Sequence, residues 1–200
     1  AWSEAVLARM AIAALGGDNE AASALADRAA TQALDWGRHD AWRFRMADAE
    51  QWRDRGQRLG DGAALERALD VLNNRVSPLA PRDTALEDWV MTKFALGTVL
   101  AVKGERSRGN EFLQAAIAAY SEVGEATDRG KNPRLWLLTQ NNVLAVHGKL
   151  AEREKGVDRY RYIVRLYQAL NPTLDAKADP SRWAMHHNNL ALAMMQIGMR

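Results

Sequence analysis

An all-α fold built from repeated helix pairs is what this sequence predicts, on three observations. Four of the seven tryptophans, Trp42, Trp89, Trp136 and Trp183, stand at a constant spacing of 47 residues. Apolar residues recur at helical spacing, as in Phe112, Ala116, Ala119 and Tyr120, while alanine is abundant and β-branched clusters are scarce. Residues that start and stop helices fall at the same register in successive units. A fixed period of this kind marks units that bury their apolar faces on one another.

Each element follows from that register. First helices are expected near 2–15, 40–55, 84–103, 133–149 and 180–197, and second helices near 19–36, 61–76, 107–128 and 152–170. The units run about 1–39, 40–82, 83–131, 132–178 and, in part, 179–200. Asn132-Pro133 and Asp179-Pro180 read as an N-cap followed by proline in the first turn, where a missing N–H does no harm. Gly104 and Gly198, fifteen residues after their tryptophans, are placed to stop first helices in the left-handed conformation. Gly62, Gly109 and Gly156, twenty after theirs, are expected to let the second helix approach the first. The stripe Tyr160, Val164, Tyr167 repeats the pattern of the third unit, and "SPLAPRD" and "NPTLDAKADP" carry the breakers of inter-unit loops. The register tryptophans are expected to pack on the preceding second helix and set the stacking of units.

Composition bounds the function. With 48% hydrophobic residues, 200 residues can bury a sizeable core. The sequence pI near 9.1 accompanies a formal net charge of only +2, and no run of five like charges occurs, which disfavours a nucleic-acid binder. The absence of cysteine removes thiolate metal sites, disulfides and thiol nucleophiles and fits a reducing compartment, so a cytoplasmic location is expected. No apolar run is long enough for a membrane span, and "AWSEAVLARMAIAALGG" lacks a basic leader. The missing initiator methionine and the stop after an apolar run suggest a piece of a longer protein.

On these residues the chain resembles tetratricopeptide repeats, in the long-unit bacterial variety. "WLLTQNN" and "NNLALAMMQIG" resemble the first helix of that motif, and "GERSRGNEFLQAAIAAY" its turn and second helix. Leu190 matches the large first-helix position, Ala191 the small one, Gly198 the turn glycine, and Gly109 and Ala116 the small positions of the second helix. The Asn-Asn-Leu-Ala run is similar to kinesin light chain repeats. The unit departs from the usual 34 residues, Ala151 replaces the turn glycine of the fourth unit, and Ile163 replaces its small second-helix residue. The resemblance implies an α-solenoid of stacked antiparallel helix pairs in a right-handed superhelix, whose first helices line a concave groove for a peptide or protein.

Catalytic constellations are scarce. No phosphate loop, nucleophile elbow or dinucleotide fingerprint occurs, no cofactor is implied, and the glycines of "GGDNEAAS" and "GERSRGN" lie between helices. His186 and His187 are adjacent, which points them about 100° apart rather than together on a metal, so polar surface or groove lining is expected. Acidic pairs such as Glu152 with Glu154 belong to helix ends. Arg43, Arg45, Arg53, Arg55 and Arg58 could receive an acidic group, or form a solvated face balanced by Asp48, Glu50 and Asp54. Met185, Met194, Met195 and Met199 are expected to cover a missing second helix.

The asparagines repeat in pairs, Asn141-Asn142 and Asn188-Asn189, inside otherwise apolar helices. Such burial is costly without hydrogen bonds. Either Asn142 and Asn189 satisfy groups between units, or they face a groove and hold a peptide backbone together with Asn141, Asn188, Phe94, Thr98, Lys149 and Gln196. A non-catalytic peptide-binding module is the leading expectation. A structural or regulatory array, self-associating or serving an effector domain, is the alternative.

Overall fold

Residues 2–199, apart from the side chains at 173 and 182, are described by a computed structural model. They form nine α-helices, with no strand among the described residues. α1 (Trp2–Leu15) and α2 (Asn19–Ala33) make the first pair, α3 (Arg38–Leu59) and α4 (Gly62–Val71) the second, α5 (Leu86–Arg106) and α6 (Glu111–Ala126) the third, and α7 (Pro133–Arg153) and α8 (Asp158–Leu170) the fourth. α9 (Pro180–Gly198) is the first helix of a fifth unit. None of these helices is long and apolar enough to cross a membrane.

Local chemistry sets the ends. Asp18, Asp61 and Asn132 each accept the N–H three residues on, at 2.9, 3.0 and 3.2 Å. Each satisfies one of the open donors of a first turn, worth about 1 kcal/mol. Left-handed glycines close α1 and α3, at Gly17 (φ 87°) and Gly60 (φ 71°). α4 is shorter than the sequence suggests: after Val71 the chain widens into a π turn over 72–76 and tightens into a 3₁₀ turn over 77–79 that holds Pro78.

The glycines of the register trade places. Gly104 does not stop α5, which continues to Arg106; it is a buried crossing point instead. A Cβ there would stand 2.6 Å from the Leu113 side chain and 2.9 Å from its backbone N. Gly56 meets Leu65 in the same way, at 2.5 Å, so both units cross their helices through a glycine nine residues before a leucine. Ala151 and Tyr160 hold that spacing in the fourth unit, and α7 runs two residues past Ala151 to Arg153, as α5 runs two past Gly104. Gly156 has no neighbour that a Cβ would meet, and Gly109 faces only the flexible Glu111 carboxylate, so neither allows the close approach expected of it.

Each helix packs on its successor, and α1 also touches α3, α3 touches α5, and α5 touches α7. Apolar burial is spread over four clusters that straddle neighbouring units. Met10, Ala22, Ala26 and Phe44 join the first two. Trp42, Trp52, Leu65, Leu72 and Leu96 join the second and third. Leu113, Ala116, Tyr120, Val146 and Leu150 follow, then Leu144, Tyr160, Ile163, Tyr167 and Ala193. Each large side chain contributes about 1.5–3 kcal/mol by leaving water, so each unit depends on its neighbour for its core.

Trp42 faces forward. Its indole N–H donates to Thr92 of α5 at 2.8 Å, which fixes the second unit against the third rather than against the preceding second helix. Trp89 and Trp136 are half-buried, with Arg82 and Arg129, each seven residues earlier, over their rings at 4.9 and 4.7 Å. Trp183 stacks on His187 at 4.0 Å and is 40% exposed.

A second repeated device escaped the sequence reading. Arg106 donates to the carbonyls of Gly56 and Gln57, and Arg153, 47 residues later, to those of Gly104 and Gly109. Arg55 reaches the Gly17 carbonyl, Asn19 and Asp61. A cation near the ends of α3, α5 and α7 thus meets carbonyls at or just past the end of the first helix before it.

Candidate interaction surface

Among the first helices, α1 touches α3, α3 touches α5 and α5 touches α7. Between α1 and α3 lies an open furrow of about 400 Å³. Leu7, Met10, Ala11, Ala14 and Leu15 make one wall, and Ala47, Glu50, Gln51, Asp54 and Arg58 the other. Ala47 stands five residues after its register tryptophan, as Phe94, Asn141 and Asn188 do after theirs. Asn141 is half-buried, Asn188 exposed and Gln196 half-buried. Lys149 pairs with Glu152 one turn on, at 3.6 Å.

Phe94, Thr98 and Asn142 come together around Tyr120, a residue that sequence alone marks only as part of an apolar stripe. The Tyr120 ring meets Phe94 edge-on at 5.5 Å, and its hydroxyl donates to Thr98 Oγ1 at 3.0 Å. The Asn142 side chain of α7 lies beside the same phenol. Burial pushes the Tyr120 pKa up, and Thr98, the nearby Arg53 charge and the Asn142 side chain act against that rise. The arrangement repeats one unit on, where burial again raises the phenol of Tyr167 in α8 and the Asn189 side chain of α9 acts against that rise. Both pairs lie 22 residues apart in sequence. The recurring asparagine therefore meets a recurring tyrosine of the preceding second helix.

The join between the second and third units carries no such pair. Leu72 stands seven residues after Leu65, as Tyr120 stands after Leu113, and Ala95 occupies the register of Asn142. Both are buried in one apolar cluster. The first join is polar but different: Asp48, six residues after Trp42, accepts from Ser23 of α2 and from Gln51, and Trp52 donates to Ser23 at 2.8 Å. Asp48 is fully buried with Oδ2 unpartnered, so it is no part of a solvated arginine face. The arginines pair elsewhere: Arg43 with Glu4, Arg45 and Arg75 with Asp27, Arg53 with Asp54, Arg55 with Asp61.

His186 corrects another expectation. It is 1% exposed, with Nε2 against the Tyr167 carbonyl at 3.0 Å and Nδ1 unpartnered. Burial holds its pKa below the ordinary histidine value, against the pull of that carbonyl. His147, in the preceding unit, is also lowered, by burial first and then by the Arg159 charge. Among the described residues no three His, Asp or Glu side chains gather as a metal site would require.

No protein-family model matches the chain, and no curated protein or solved structure matches it.

Proposed function

We propose that the protein is a non-catalytic interaction module, an α-solenoid of the tetratricopeptide kind that holds a peptide or protein segment along its first helices. The observation that carries this reading is the succession α1, α3, α5, α7, each in contact with the next, with a furrow of one apolar and one polar wall opening between the first two. The side chains of Asn141, Asn188 and Gln196 make no hydrogen bond to described residues, which leaves three amides on first helices to grip a backbone. Asn142 and Asn189 act differently, as staples that spend their amides on tyrosines.

Selection of peptides from a random displayed library, followed by fluorescence anisotropy, tests the proposal. Ala11→Glu in the furrow and Asn141→Ala should each weaken a selected peptide by about tenfold. Ala118→Glu, an exposed change on α6, should leave binding unchanged. No selected peptide, or binding sensitive only to Ala118→Glu, would contradict it. Affinity that collapses with salt would point to nucleic acid instead.

A further inference from the structure

At positions eight, eleven, twelve and fifteen after the register tryptophan, α5 carries Gly97, Leu100, Ala101 and Gly104, and α7 carries Leu144, His147, Gly148 and Ala151. All eight are buried or half-buried. α9 carries Ala191, Met194, Met195 and Gly198 there, and all four are exposed, Met194 at 54% and Met195 at 49%. One stripe is therefore covered in two units and open in the next.

The covered units show what fits it. Tyr120 lies 2.8 Å from where a Cβ on Gly97 would stand, and Leu113 lies 2.6 Å from that of Gly104. Leu113 and Tyr120 are seven residues apart, as are Gly97 and Gly104; Tyr160 and Tyr167 oppose Leu144 and Ala151 at the same interval. Seven residues are two helical turns. Ala191 and Gly198 repeat both the interval and the small size. From Trp183 to Gly198 α9 bears no Asp, Glu, Lys or Arg, so covering it strips water from no ordinary charge.

Its opposite side is in use, since Leu190, Ala193 and Ile197 pack with the Tyr160 and Tyr167 cluster. α2, α4, α6 and α8 each already lie on their own first helix, so none of them is free to cover this stripe of α9. In the complete units the covering helix follows after a short turn and runs antiparallel. We propose that the stripe Ala191, Met194, Met195, Gly198 docks a further amphipathic helix of the same polypeptide, antiparallel to α9, with large apolar side chains seven residues apart.

Appending residues 107–126, the third unit's own turn and second helix, after Arg200 tests the docking face. Peroxide oxidation of Met194 and Met195, followed by mass spectrometry, should slow by about tenfold. Met185 should oxidise as before, because Met91 at its register in α5 is 41% exposed even with α6 in place. The melting temperature should rise by about 4 °C or more. A scrambled helix of equal composition should do neither. Reading the natural coding sequence beyond residue 200 tests the source, which should show large apolar residues at that interval. Unchanged oxidation, equal protection by the scrambled helix, protection in a dimer of the parent chain, or a natural sequence without such a helix whose stripe is covered by a separate polypeptide would each overturn the proposal.

Discussion

The joins on either side of the third unit solve one packing problem with opposite chemistry. Between the second and third units, Leu72 and Ala95 bury apolar surface. Between the third and fourth, the same register carries Tyr120, whose hydroxyl donates to Thr98, and Asn142, whose side chain lies beside that phenol across the units. The polar pair changes together or not at all: where the tyrosine is leucine, the asparagine is alanine. An amide buried beside an apolar side chain would forfeit its water without recompense, so neither half is useful alone. The repeated asparagine is thus half of a two-residue device whose other half lies 22 residues earlier.

Mixing the two chemistries should cost most. Ala95→Asn places an amide opposite Leu72 and should destabilise the chain by about 3 kcal/mol in urea unfolding. Adding Leu72→Tyr should restore part of the loss. A double variant no better than Ala95→Asn alone would separate the two positions.

The crossing points extend the comparison to the turns. Gly104→Ala forces a methyl group against the Leu113 backbone and should cost about 2 kcal/mol. Gly156→Ala, in open space, should change stability by less than about 0.5 kcal/mol. Equal effects would mean that the helices do not cross at Gly104.

Arginine bridging should come next in size. Arg106→Met and Arg153→Met keep the aliphatic stem and remove the carbonyl contacts, and each should cost about 1 kcal/mol. Additive losses would show that successive bridges act independently.

The α8–α9 contact adds a pH dependence. His186 is buried and its folded pKa is lowered, so folding favours the neutral imidazole. The stabilisation is full above the unfolded value of about 6.5 and is lost as pH falls from there through the lowered folded value. Hydrogen exchange of α9 should quicken over that range in the parent chain. His186→Phe should remove the dependence, and a dependence that survives would place the titration elsewhere.

Helix existence and the Asn132 cap were legible in the sequence because helical periodicity, proline and N-cap residues act locally. The purpose of the glycines was not. Gly104 and Gly109 are both compatible with a turn or a crossing, and only the position of Leu113 decides between them. Phe94, Thr98 and Asn142 were singled out as groove lining, yet Tyr120, around which they gather, read as ordinary core. The 47-residue step from Arg106 to Arg153 was visible, but arginine near a helix end is too common a signal to mark a bridge without its partner carbonyls. Asp48 and His186 misled because polar residues next to charged or polar neighbours look solvated; burial depends on which helix face they share, which a one-residue drift in the second unit obscures.

The double-mutant cycle of Tyr120→Phe with Asn142→Ala tests the central claim most directly. Tyr120→Phe removes the hydroxyl and Asn142→Ala the amide, and urea unfolding of both single variants and the double isolates their interaction. A coupling energy of about 0.5–1 kcal/mol, with a selected peptide still bound by the folded Asn142→Ala protein, is the predicted result. Zero coupling together with lost peptide binding would contradict the account and return the asparagines to recognition.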